Sequence, residues 1–192
     1  FGIAGDPERA VQSGRRALAI TAVYEDLAIS AVTNYYLGAA YNKMGDYKQA
    51  IEVLKRGMQS VEGKYRHERF GTTLILSVIC RSHLVQCLAA TGAFNEGVLY
   101  GEEGIRIAEE VEHPASLTYM NCSLGVLFLV KGEMAKAISA LERSLKFCHS
   151  ATTPVYVPFV ASRLGAAYAA SGRVSEGLTY LEQGAGNFAA VG

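Results

Sequence analysis

The sequence predicts an all-α fold, a solenoid of antiparallel helix hairpins, about four of them preceded by one lone helix. Three observations carry this prediction. A glycine followed five residues later by a small residue and then an aliphatic one occurs five times, in residues 5–11 (GDPERAV), 45–51 (GDYKQAI), 92–98 (GAFNEGV), 132–138 (GEMAKAI) and 172–178 (GRVSEGL), and the glycines step by 40, 47, 40 and 40. Seven residues before four of these glycines stand Gly38, Val85, Gly125 and Gly165, each after a leucine and each followed three residues later by Tyr41, Leu88, Phe128 or Tyr168. Each interval between glycines also holds two apolar-periodic stretches of helical length.

The elements follow in order from these marks. A lone helix is expected over 7–22, opened by Pro7, whose missing N–H costs nothing at a helix start. The first hairpin, 27–61, pairs helices 27–44 and 47–61; Gly45 supplies the left-handed residue that ends the first, and Asp46 caps the second. The second, 72–111, pairs helices 72–91 and 94–111 around Gly92, the third, 115–149, pairs 115–131 and 134–149 around Gly132, and the fourth, 155–188, pairs 155–171 and 174–188 around Gly172. The extra seven residues of the 47-residue step fall in 62–71 (EGKYRHERFG), a charged loop bounded by glycine. Small residues recur where two helices must approach closely, at Ala10, Ala50, Gly97, Ala137 and Gly177 and again at Ala17, Gly57, Gly104, Ser144 and Gly184. A helix-interior glycine costs about 1 kcal/mol against alanine, so such recurrence calls for a compensating close contact.

The pattern Leu37, Gly38, Tyr41, Gly45, Ala50, Leu54, with its matches from Leu124 and Leu164, resembles the tetratricopeptide repeat family. The resemblance extends over nearly the whole chain. It implies a right-handed superhelical solenoid forming one domain over 1–192, and a non-enzymatic binding module. The period is the main departure: 40 residues against about 34 for the family, implying helices longer by nearly a turn, as in long-repeat relatives in bacterial signalling and regulatory proteins. Gly14 and Gly101 also stand in a column where Leu54, Leu141 and Leu181 place bulk, which predicts looser packing there. In the family the first helix of each hairpin lines a concave groove. By register that groove takes Tyr35, Asn42, Lys43, Ser82, Gln86, Tyr119, Cys122, Val126, Phe159 and Ser162, with small or apolar residues between them. The columns that clamp a terminal carboxylate in some relatives hold Tyr35, Ser82, Cys122 and Ser162 here. This disfavours that mode and suits a protein or peptide partner such as an amphipathic helix.

Other classes find little support in the composition. Half the residues are hydrophobic, 19% are charged, and 18 basic side chains balance 18 acidic ones, so no net field draws the chain to nucleic acid or to an anionic membrane. The longest apolar runs, 74–80 and 124–130, are too short to cross a bilayer, which takes about 20 residues. No basic segment precedes an apolar core at the start of the chain, so no signal peptide is read there. Four scattered cysteines, Cys80, Cys87, Cys122 and Cys148, lack the spacing of a secreted disulfide framework and fit a reducing, cytoplasmic setting.

Cys80, His83 and Cys87 share one helical stripe with ligand-capable atoms, yet three residues on one helix fall short of a metal site and buried cysteine is common without one. Residues 57–65 mimic a phosphate loop but carry the wrong glycine spacing and Tyr65 where a hydroxyl amino acid must bind magnesium, and the glycines at 184–186 follow a helix rather than a strand. Asn121-Cys122-Ser123 matches a glycosylation triplet in mid-helix. No nucleophile elbow or metalloprotease helix occurs, so neither a catalytic residue nor a cofactor is implied. In the 62–71 loop Lys64, Arg66 and Arg69 form a patch that could receive an acidic partner, with Glu62 and Glu68 interleaved.

The leading expectation is a protein-interaction scaffold or regulatory module. The alternative is a sensing or transmitting segment of a larger signalling enzyme or transcriptional regulator, a nucleotide cyclase being one example; a metal or small-ligand receptor ranks last. The chain starts inside a repeat and neither Phe1 nor residues 188–191 supply a polar cap, which predicts a fragment of a larger protein with apolar ends prone to self-association.

Overall fold

The computed structural model describes residues 6–24, 26–150 and 154–191. Phe1 and Gly5, the first rung of the glycine ladder, lie outside them, as do the side chains of 185–191. Among the described residues the helices are α1 (Pro7–Tyr24), α2 (Leu27–Met44), α3 (Tyr47–Ser60), α4 (Leu76–Ala90), α5 (Phe94–Glu110), α6 (Pro114–Lys131), α7 (Met134–Ser150), α8 (Val157–Ala170) and α9 (Val174–Val191), and no strand occurs. Short 3-10 turns precede α4 and α8, at Gly63–Tyr65 and Pro154–Tyr156. The sequence places these helices within three residues except at α4, which starts at Leu76 rather than residue 72. There the Glu68 carbonyl accepts from the Leu76 N–H at 3.1 Å, and the Thr72 hydroxyl lies 2.7 Å from the Arg69 carbonyl and 2.6 Å from that of Leu74. These local bonds offer the backbone an alternative to a helical turn.

The recurring columns have one physical cause. Gly45, Gly92, Gly132 and Gly172 take φ between 76° and 87°, where a side chain is strained. The residue after each glycine donates its N–H to the carbonyl of Tyr41, Leu88, Phe128 or Tyr168 at 2.9–3.0 Å. This is the same helix-ending motif four times over. Asp26 and Asp46 then cap α2 and α3 by accepting from the N–H groups of Ile29 (3.0 Å) and Gln49 (3.2 Å). At α6 the cap is His113, whose Nδ1 accepts from Ser116 N–H at 3.2 Å while Pro114 opens the helix.

Successive helices pack against each other along the chain, and α2, α4, α6 and α8 also touch in series, whereas the odd-numbered helices make no comparable contacts among themselves. The even helices thus form one continuous layer, the inner one, and the odd helices form the outer layer beside it. Their residue content follows: α4 buries most of its length, while α3 and α7 keep apolar residues on one stripe and charged residues on the opposite face.

Gly14 and Gly101 are not places of loose packing, contrary to expectation. A methyl built on Gly101 would stand 2.3 Å from Leu124 Cδ2, and one on Gly14 would stand 2.6 Å from Leu37 Cγ. The bulk that the column lacks arrives from the following inner helix. Elsewhere the exchange is reversed, with Leu54 filling the space over Gly38 and Leu141 that over Gly125.

Candidate functional site

On the inner face, polar residues from three helices join one another. Asn42 Nδ2 donates to Gln86 Oε1 at 3.3 Å, Gln86 Nε2 donates to Ser123 Oγ at 3.1 Å, and the hydroxyls of Ser82 and Ser123 share a bond of 2.6 Å. Of the residues assigned to the groove by register, Asn42, Ser82 and Gln86 thus fasten α2 to α4 and α4 to α6. Ser82 and Cys122 lie beneath the surface, Val126 and Ser162 are half-buried, and Lys43 is exposed. The Ser162 hydroxyl is turned back onto the Phe159 carbonyl at 3.0 Å.

Aromatic side chains form the other part of the face. Tyr119 meets Tyr156 edge-on at 5.2 Å between ring centroids and lies nearly parallel to Phe159 at 6.0 Å. Arg163, one turn along α8, stacks its guanidinium 3.5 Å from the Phe159 ring centre and donates from Nη1 to the Phe159 carbonyl at 2.9 Å. Tyr35 stands 4.6 Å from Tyr36 and 5.6 Å from the His83 ring. Burial raises the phenol pKa of Tyr35 far above its ordinary value, with the nearby Tyr119 hydroxyl adding to the effect, and burial raises that of Tyr119 as well. At neutral pH these are uncharged hydroxyls on a hydrophobic body, a combination suited to gripping a peptide.

His83 belongs to this face. Burial, helped by the charge of Lys43, pushes its pKa down to about 4, and its Nδ1 is buried without a hydrogen-bond partner. Cys80 and Cys87, on the same stripe, are buried thiols pushed up to about 12 by burial. Among the described residues no three His, Cys, Asp or Glu side chains converge where a metal could bind. The glycosylation triplet is closed to modification, since Asn121 is buried and its Nδ2 donates to the Leu117 carbonyl at 2.8 Å.

The loop patch is tied to the next hairpin. Arg66 Nη2 stands 3.6 Å from Glu110 Oε1, His67 Nε2 lies 2.8 Å from Glu110 Oε2, and the Lys64 ammonium sits over the Tyr65 ring at 4.7 Å. Arg69 is exposed. Sequence reasoning missed Arg81, which is 1% exposed and bridges Glu62 at 2.6 Å and Glu103 at 3.2 Å while donating to the Ser77 carbonyl. It also missed Arg163 and Tyr156. A signal was available for both arginines, each being a lone charge in an otherwise apolar helix.

Residues 32–59 match the tetratricopeptide repeat sequence family. These residues carry a tetratricopeptide repeat. The matched residues are α2 and α3, the hairpin whose Leu37, Gly38, Tyr41 and Gly45 match the pattern most fully, and the same cap geometry recurs at the three later hairpins. No curated protein matches the sequence. Solved structures share the repeat solenoid. BtubC (BKLC) from P. vanneervenii superposes with a TM-score of 0.73 at 17% identity, over 98% of this chain and 75% of its own. The apo form of RapI gives 0.75 at 16%, over 97% of this chain and 63% of its own. A putative kinesin light chain with TPR-like repeats from Podosopora anserina gives 0.68 at 21%, over 100% and 91%. The chain thus spans less than two thirds of RapI. Likeness at these identities concerns the fold. No described helix is long and apolar enough to cross a membrane.

Proposed function

We propose that the chain is a protein-interaction scaffold, one solenoid domain that holds a peptide or helix of a partner along the inner face of α2, α4, α6 and α8. The observation that supports this most is the aromatic shelf of Tyr35, Tyr119, Tyr156 and Phe159. It brings rings from three of the four inner helices and the turn before α8 near one another. Rigid aromatic rings contribute contact area at low entropic cost, which is why they dominate binding hot spots. The four buried, unpaired cysteines suit a reducing compartment, so the cytoplasm is part of the same reading. Exposed apolar side chains at the two edges of the stack, Val23 and Tyr24 on α1 and Val174 and Leu178 on α9, favour self-association, which light scattering over a concentration series would reveal.

The groove is tested by selecting displayed random peptides on the immobilised protein and measuring the winners against a Tyr119→Asp, Val126→Asp double variant. Binding should be lost with far-UV circular dichroism unchanged. Peptides that bind the folded variant as tightly as the parent would refute the inner face as the site.

A further inference from the structure

The chain's net charge is zero, but its charges are divided unequally between the two layers. None of the 18 Asp and Glu residues falls in α2, α4, α6 or α8, and the charged members of those helices are Lys43, Arg81, Lys131 and Arg163. Arg81 is buried against Glu62 and Glu103, and Lys131 lies 2.7 Å from Glu133. Arg163 is different: among the described residues no carboxylate comes within ion-pair distance of it, and its bonds are the Phe159 carbonyl and ring. Its field reaches the same shelf, where it pulls against the upward shifts that burial imposes on the Tyr119 phenol and the Cys122 thiol. A half-buried guanidinium beside aromatic rings, on a face that holds no acid, is an incomplete ion pair. Its planar fork of donors suits a carboxylate above other acceptors.

We infer that the segment held by the inner face is acidic. This rests on the groove reading above and adds the chemistry of the occupant: a Glu or Asp carboxylate received by Arg163, with the neighbouring apolar or aromatic side chain laid on Tyr119 and Phe159. The exposed Lys43, on the same face at the end of α2, favours further acidic residues along the segment. A nucleic acid is the poorer fit, because a face whose helices carry so few cations cannot neutralise the several phosphates that such binding requires. A terminal carboxylate is not needed, since the cation sits beside the aromatic shelf within the face and an internal side chain can reach it.

The test uses the whole chain and three fluorescein-labelled twelve-residue peptides, with Leu and Phe at matched positions and Glu, Gln or Lys at the remaining ones, read by fluorescence anisotropy. The Glu peptide should bind roughly tenfold or more tighter than the Gln peptide, with the Lys peptide weaker still, since a charge-assisted pair outweighs a neutral one by about that factor. Its affinity should fall as salt rises from about 50 to 300 mM. Arg163→Gln should erase the preference for Glu over Gln, Arg163→Lys should keep part of it, and Lys146→Gln on the outer layer should leave it unchanged. The salt series on the unaltered protein needs no variant to fold. Equal binding of the Glu and Gln peptides, both lost in the Tyr119→Asp, Val126→Asp variant, overturns the acidic occupant while leaving the groove standing. Binding that survives that double variant overturns both. Absence of binding by all three peptides, or tighter binding of a labelled single-stranded DNA 20-mer than of the Glu peptide, overturns the acidic occupant.

Discussion

Replacing His83 by Gln should make the chain less sensitive to mild acid, by an amount that can be worked from its surroundings. In the fold the imidazole is held neutral: burial and the adjacent Lys43 depress its pKa from 6.5 to about 4, and its Nδ1 has no partner that would welcome a proton. In the unfolded chain it takes up a proton below its ordinary value. The depressed group therefore leaves stability intact above pH 6.5 and removes it progressively as pH falls toward 4, because the unfolded state binds the proton first. Between pH 7.5 and 5 the linkage amounts to about 2 kcal/mol, and the full separation of the two values corresponds to about 3 kcal/mol. The assay is urea unfolding by circular dichroism in pH steps on the parent and His83→Gln, with hydrogen exchange over α2 and α4 added because repeat stacks can unfold piecewise. The parent should lose about 2 kcal/mol more than the variant over that range. Parallel curves, or a His83 resonance titrating near 6.5 in the folded protein, would refute the reasoning.

Three other perturbations test the packing and ties described above. Arg81→Met should destabilise α3 to α5 by about 2–4 kcal/mol, because removing the cation strands two partly covered carboxylates; adding Glu62→Gln and Glu103→Gln should restore much of the loss in the same urea assay, and a single-variant cost under about 1 kcal/mol would show that the bridge contributes little. Gly101→Leu should cost about 1–3 kcal/mol or more by overpacking against Leu124, and Leu124→Ala in the same chain should relieve part of it, giving a coupling that a double-mutant cycle detects. The hydrogen bond from His67, helped by Arg66, lowers the pKa of the Glu110 carboxyl below 4.5, so its tie to the loop is present above that pH and is lost as pH falls through the depressed value. Exchange of the 62–73 backbone should quicken there, and Glu110→Gln should bring the faster exchange to neutral pH; an unchanged rate in the variant would remove the tie from the account.

Much of the candidate face could be reached by register alone. Tyr35, Tyr119 and Phe159 occupy inner helices because each stands at a fixed offset from a Leu-Gly pair, and offsets along a helix translate directly into faces. Their meeting on one shelf depended on how far one hairpin is translated and turned against the next, which no local offset encodes. Tyr156 lies in a 3-10 turn, outside the helical periodicity from which register is read. Asn42 and Gln86 stand on α2 and α4, yet 44 residues separate them and their hydrogen bond exists only because the two helices touch.

The sequence by itself determined the helices, their order and their ends, since these follow from interactions within about six residues: the left-handed glycines, the Asp caps and the apolar periodicity. Only the tertiary structure decided what fills the gaps and which charges find partners. Gly101 looked like a void until Leu124 was seen entering from the next hairpin, and Arg81 looked like an intrusion in an apolar run until Glu62 and Glu103 closed around it. Arg163 is their counterpart, a second lone arginine in an apolar inner helix, around which no acid closes among the described residues. The physical reason is common to all three. Volume and charge are balanced between helices rather than along them, so a residue's own stretch of chain does not record what completes it.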